Sequence, residues 1–262
     1  MQKKILLYLL PIYFLFSCST GQQAMKKGNN YEAVTTALDR LQKKSADEKA
    51  QEVLRYSYPL FVKEKEQIIS SSINSSNPLK WENVQKSYRT MDNINKKIQL
   101  IPIATSIISN SKDYGKVIKD TEEKIMQARY DLGLSQLKED TRRSAIKAYE
   151  HFSYILRKRE NYKDTKVQLE KAKEIATITV GLTPIPMSHL KYQLSTDFFA
   201  NQLYEYLNTN NRNRFVQFIF PSHKDFEQIQ KDHLVEISFD EFLVGNSYIK
   251  ESVYERQRDL LR

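Results

Sequence analysis

The apolar residues of this chain change their spacing once, at Ile178, and that change sets what the chain can fold into. From residue 28 to residue 177 they recur at intervals of three and four, the period of a helix with one buried face. At Ile178-Thr179-Val180-Gly181-Leu182 they begin to alternate, as in a strand. With 6 Gly and 7 Pro in 262 residues, and aromatics at 11%, the chain is neither collagen-like, low-complexity nor disordered. A mainly α protein is predicted: a helical array or bundle over 28–177, then a small α/β domain over 178–262.

Within the helical part, Tyr31, Val34, Leu38 and Leu41 share a stripe with Ala33 and Ala37 beside it. Asp47 is placed to cap a helix that carries Ala50, Val53, Leu54, Tyr58, Phe61 and Ile68, with a kink expected at Pro59. Ser70 to Pro78 reads as a loop. The stripe Trp81, Val84, Tyr88, Met91, Ile94 and Ile98 marks the next helix, which stops near Pro102. Another starts at Ser111 or Asp113 and reaches about Lys138, turning Val117, Ile118, Ile125, Ala128, Leu132 and Leu134 inward. Thr141 caps a helix whose apolar face is Ala145, Ala148, Tyr149, Phe152, Ile155 and Leu156, and a last helix covers roughly Asp164 to Ala176.

Small residues and aromatics recur on these helices as Gly28, Tyr31, Ala33 and Ala37, and again as Ala128, Gly133, Ala145, Tyr149 and Phe152. The pattern resembles tetratricopeptide-type repeats, in which small residues let helices approach and an aromatic fills the hole. The resemblance implies a groove that binds a protein partner. A plain irregular bundle fits the same spacings and stands beside it.

Beyond Ile178 a helix from Thr196 to Leu207 follows Ser195 and is expected to bury Phe198, Phe199, Leu203, Tyr206 and Leu207. A strand at Phe215 to Phe220, a short helix from Ser222 to about Gln230 and a strand at Leu234 to Phe239 complete a βαβαβ order, which predicts parallel pairing. That pattern resembles the small α/β domains of the curli-secretion lipoprotein, the penicillin-binding-protein activators and the TolB amino-terminal domain. It implies assembly with other envelope proteins, or a homo-oligomeric secretion or envelope-assembly component.

The amino terminus places Lys3 and Lys4 before an apolar run of 12 residues, Ile5 to Phe16. A bilayer-spanning helix needs about 20 apolar residues, whereas a secretory signal needs roughly 7 to 15 behind positive charge. Cys18, the one cysteine in the chain, stands directly after Leu15-Phe16-Ser17. This resembles a bacterial lipoprotein signal, with 1–17 as the signal peptide, Cys18 carrying lipid and 18–27 as a tether. The resemblance implies anchoring in the outer membrane with the body on the periplasmic face, because no Asp follows Cys18 to favour inner-membrane retention.

No chemical motif competes with that reading. His233 and Glu236 point to opposite faces of a strand, and His223 with Asp225 lacks a second histidine at ligand spacing, so no metal is expected. There is no Gly-x-Ser-x-Gly turn and no glycine-rich phosphate loop. No enzymatic activity and no cofactor are predicted. The net charge of +9 lies in the helical part, where residues 19–178 carry 30 basic and 21 acidic side chains against 9 and 11 in 179–262. Its densest stretch holds Arg142, Arg143, Lys147, Arg157, Lys158 and Arg159. An exported protein does not meet nucleic acid, so an acidic envelope partner or anionic lipid fits better. The candidate interaction surface is Arg142, Arg143, Lys147, Tyr154, Arg157 and Lys158. Tyr149 and Phe152 are further aromatics of that helix, and two of its three aromatics are expected in the core.

Overall fold

The computed structural model describes residues 20–185 and 193–237, and the chain forms two compact units that divide between Ala172 and Lys173. Residues 1–19 with Cys18, residues 186–192 and the residues beyond 237, Phe239 and Asp240 included, lie outside the described residues. Among the described residues the chain is mainly helical with a small three-stranded parallel sheet.

The first unit contains α1 (Gln22–Lys26), α2 (Asn30–Lys43), α3 (Glu48–Ile73), α4 (Lys80–Gln99), α5 (Pro102–Ile107), α6 (Gly115–Lys138) and α7 (Arg142–Lys158). Helix α8 (Thr165–Ala176) contains the division between the units, which falls ahead of the change of period at Ile178. Short connections lay each long helix beside its sequence neighbour: α2 on α3, α3 on α4, α4 on α6 and α6 on α7. Val34, Leu38, Leu41, Val53, Leu54, Phe61, Met91 and Ile98 fill the core of the first four. Tyr31, expected on the inward stripe, is half exposed and lies against Phe61 at 6.0 Å between ring centroids.

The caps are local and follow the sequence. Asp47 Oδ1 accepts the Ala50 N–H at 3.2 Å, satisfying a donor that the start of α3 leaves free. Arg40 Nε donates to Asp47 Oδ2 at 2.7 Å, and this guanidinium holds the carboxyl below its ordinary range. Helix α3 runs on past Pro59, between the buried Tyr58 and Phe61. It also runs through Ser70 to Ile73, so the expected loop shrinks to 74–79. Serine can remain in a helix by bonding back to the preceding turn, as Ser71 Oγ does to the Ile68 carbonyl at 3.0 Å. Helix α5 was not expected; Pro102 at its first position has no N–H to lose there.

The second unit contains β1 (Ile178–Leu182), α9 (Gln193–Asn210), β2 (Val216–Ile219) and β3 (His233–Val235). The order is β2-β1-β3, with both pairs parallel as predicted; Ile178 registers with Val216 and Val180 with His233. Two expectations are corrected. Residues 222–230 form turns rather than the second helix of a βαβαβ order. So short a segment around a costly nucleus is marginal as a helix. Side chains also compete for this backbone: Asp225 N–H donates to His223 Nδ1 at 3.2 Å, and Lys231 Nζ donates to the Phe226 and Ile229 carbonyls. Phe198 and Tyr206 are 67% and 63% exposed rather than buried, and Phe199 is exposed as well. The aromatics of α9 sit on more than one side of the helix, and a face is buried only where something covers it. Tyr204 is one that is covered, tilted against Phe220 at 4.3 Å.

Candidate interaction surface

Helix α7 begins at a reciprocal cap. Thr141 Oγ1 accepts the Ser144 N–H at 3.1 Å, and Ser144 Oγ accepts the Thr141 N–H at 3.2 Å. Ala145, Ala148, Phe152 and Ile155 are buried on its inner side. The Phe152 ring occupies the space a side chain at 133 would need: a Cβ on Gly133 would stand 2.6 Å from it. The small residue and the aromatic singled out in the sequence therefore meet, and they set how closely α6 and α7 approach. Tyr130 closes the contact, edge-on to Phe152 at 6.0 Å, while its hydroxyl donates to the Asp164 carboxylate. That hydrogen bond pushes the Tyr130 phenol up to about 12.

Arg143, Lys147, Arg157 and Lys158 are exposed. Positions 143, 147, 154 and 158 are spaced four, seven and four apart and return to one side of the helix, giving a row roughly 22 Å long at about 1.5 Å per residue. Arg142 lies about 100° round from Arg143, on a neighbouring face. Among the described residues, Arg143, Lys147, Arg157 and Lys158 form no ion pair. Two nearby arginines are engaged: Arg89 pairs with Glu122 at 3.3 Å and Arg159 with Glu123 at 2.8 Å.

Of the aromatics, Phe152 belongs to the core and Tyr149 is half-buried. Tyr154 is half-buried too, with the Arg129 guanidinium 3.9 Å above its ring, a cation–π stack. Arg129 Nε also donates to Glu82 Oε1 at 2.7 Å, and its Nη1 lies 3.4 Å from His151 Nδ1. Burial first, and the Arg129 charge second, hold the His151 imidazolium below its ordinary range. Tyr154 thereby forms one wall of a groove of about 330 Å³ that Glu82, Lys86, Arg89 and Asn93 of α4 also line.

Sequence reasoning missed Arg129. Its partners come from α4 and α7, with Glu82 47 positions away, and no local spacing signals such a junction. Lys124, stacked 4.0 Å over Trp81, went unnoticed for the same reason. Among the described residues no three His, Cys, Asp or Glu side chains gather as metal ligands would, and no helix is long and apolar enough to cross a membrane. The arrangement can hold carboxylates or phosphates by charge along α7, beside a groove lined by Lys86 and Asn93 as well as by Glu82. Compared with protein-family models, with curated proteins and with solved structures, the chain finds no match.

Proposed function

We propose that this chain is a cell-envelope lipoprotein, anchored by lipid on Cys18 at the periplasmic side of the outer membrane, whose helical unit recruits an acidic envelope protein. It acts as a non-enzymatic scaffold. The observation that carries the reading is the row of Arg143, Lys147 and Lys158 beside Tyr154, with Arg157 next to it, cations that form no ion pair among the described residues. The first turn of α7 contains Arg142 and Arg143 and no acidic residue. Positive charge at a helix N-terminus opposes the macrodipole, by about 0.3–1 kcal/mol per residue. Helix stability therefore does not account for Arg143, and recognition of negative charge would. The close approach of α6 and α7 over Gly133 supports a repeat-like stacking of the helices.

Two experiments separate anchor from surface. Labelled fatty acid is expected in the wild-type chain and absent from Cys18→Ala; label retained in that variant removes the anchor. Crosslinking in intact membranes is expected to capture an acidic protein, and the combined substitution of Arg143, Lys147, Arg157 and Lys158 by Glu is expected to abolish capture while the label remains. Capture unchanged by that charge reversal removes the surface.

A further inference from the structure

A cavity of about 370 Å³ opens where the C-terminal half of α3 meets α4 and the segment that leads into α6. Its floor is apolar and buried, made by Ile69 and Met91, with the partly exposed Ile73 at the side. Tyr88 and Tyr114 form one wall, their rings tilted by 37° with centroids 5.7 Å apart. Hydrogen bonds tie that wall down. Asn95 Oδ1 accepts the Tyr58 hydroxyl at 2.8 Å, and Asn95 Nδ2 donates to the Lys112 carbonyl at 2.8 Å, so the segment before α6 is fastened to α3 and α4. The exposed side chains of Glu66 and Lys112 stand at the rim.

Two observations point to a ligand. Tyr114 is only 7% exposed, yet among the described residues its hydroxyl makes no hydrogen bond and opens on the cavity instead. Side chains so buried ordinarily have their polar atoms paired. Burial first, and then the charges of Tyr58, Glu66 and Tyr88, push this phenol up to about 12, so at neutral pH it keeps its proton and can donate it. Secondly, Glu66 Oε1 and Lys112 Nζ are 3.9 Å apart, beyond the reach of a hydrogen bond, about 2.7–3.2 Å. Each can therefore bond a third group. The charged sequence neighbours of the lining are committed elsewhere: Lys65 to the Tyr31 and Phe61 rings, Arg89 to Glu122, Asp92 to Lys96 and Asp113 to the Gly115 N–H. Such a mouth selects by charge. A fatty acid meets Glu66 there and a simple amine meets Lys112, whereas a molecule with an ammonium and a carboxylate side by side satisfies both. The last carbonyls of α3, which ends at Ile73, add to the pull on the ammonium. The two rim charges also stand closer than the ends of an extended dipeptide, about 7 Å apart, so one residue fits them better than a chain.

We propose that this cavity binds a free α-amino acid with an apolar side chain. Glu66 holds its ammonium, Lys112 and the Tyr114 hydroxyl hold its carboxylate, and Ile69, Ile73 and Met91 receive its side chain. The volume lies at the small end of the range for ligand pockets, about 300–1,000 Å³, as suits so small a molecule. The site shares no residue with the α7 row, and the proposal stands whether or not Cys18 carries lipid.

Isothermal titration calorimetry of the full chain in a non-ionic detergent, with L-leucine, L-methionine and L-phenylalanine, tests it. At least one is expected to bind with a dissociation constant of about 1 mM or tighter. The N-acetyl derivative of the best binder lacks the ammonium and its amide lacks the carboxylate. Each is expected to bind at least about tenfold more weakly, as the loss of a charge-assisted hydrogen bond implies. Glu66→Gln and Lys112→Gln lie at exposed positions and are expected to weaken binding by a similar factor with unchanged far-ultraviolet circular dichroism. Tyr114→Phe keeps the ring against Tyr88, so it is expected to weaken binding about tenfold while the urea midpoint stays where it is. The proposal is overturned by no binding of the three amino acids up to roughly 10 mM, by derivatives that bind as well as the parent, or by affinity indifferent to Glu66→Gln and Lys112→Gln. A urea midpoint lowered by Tyr114→Phe overturns it too, since the hydroxyl would then serve the fold.

Discussion

In the helical unit, a residue on the inner stripe of one helix finds its cover on the next helix along the chain; in the α/β unit, β1 pairs with partners 38 and 53 positions later. The consequence is visible in what each buries. Leu38, Phe61, Met91 and Phe152 are essentially inaccessible, whereas Phe198, Tyr206 and Leu234 remain largely exposed. A helix satisfies its own backbone and needs one neighbour, which the next helix supplies. A strand must first find a distant edge, and its neighbouring helix is covered only where the sheet is broad enough. The helical unit therefore rests on tight local contacts, and substitutions there should be felt in proportion to packing.

The largest effect is expected at Phe152, which is fully buried. Phe152→Ala leaves a hole between α6 and α7 and should cost about 3–5 kcal/mol, read as a lowered urea midpoint by far-ultraviolet circular dichroism. Gly133→Ala comes next. Alanine ordinarily improves a helix interior by about 1 kcal/mol. Here the added Cβ meets the Phe152 ring, so a net loss of about 1–3 kcal/mol is expected. A gain in stability would mean that α7 can slide outward and that the approach is not tight. Thr141→Ala removes the reciprocal cap and should cost about 1 kcal/mol, with faster hydrogen exchange confined to the first turn of α7.

The junction at His151 has a predicted pH signature. Because the folded chain holds the imidazolium below its ordinary range, the contribution is fully present above the unfolded value near 6.5. It declines as pH falls below that value and levels off beneath the folded one. His151→Gln should flatten this part of the stability curve, and an unaltered curve would show that the folded chain hydrates the imidazolium, and turns Arg129 aside, at no cost. The smallest effect is expected in the α/β unit, where Phe198 is largely exposed. Phe198→Ser should change stability by about 0.5 kcal/mol or less. A loss as large as that of Phe152→Ala would abolish the contrast between the units.

What was legible in the sequence is what local chemistry decides. Thr141 and Asp47 announce helix starts because a cap involves residues three apart, and the period change at Ile178 marks the first strand. The parallel order followed from alternating strands and helices. The serines at 70–72 misled because serine favours loops on average yet stays helical when the turn before it accepts its hydroxyl. The burial of α9 misled because periodicity says which residues share a face and not whether that face is covered. On α7, the sequence located the cations but not Arg129, which turns Tyr154 from a free ring into part of a groove wall.

Gly21 carries one more consequence. Its left-handed backbone (φ 85°) brings the chain so close to α2 and α3 that a Cβ would stand 2.6 Å from the Ala33 carbonyl oxygen and 3.2 Å from Val53. From there α1 packs on α2 and α3 with Ala24 buried, so the body of the helical unit already includes the residues from Gly21 on. With the lipid on Cys18 that we propose, only three residue steps separate anchor from body, about 10 Å at full extension. So short a leash would keep the start of the helical body near the lipid head groups, and a partner would have to come to the membrane to meet it.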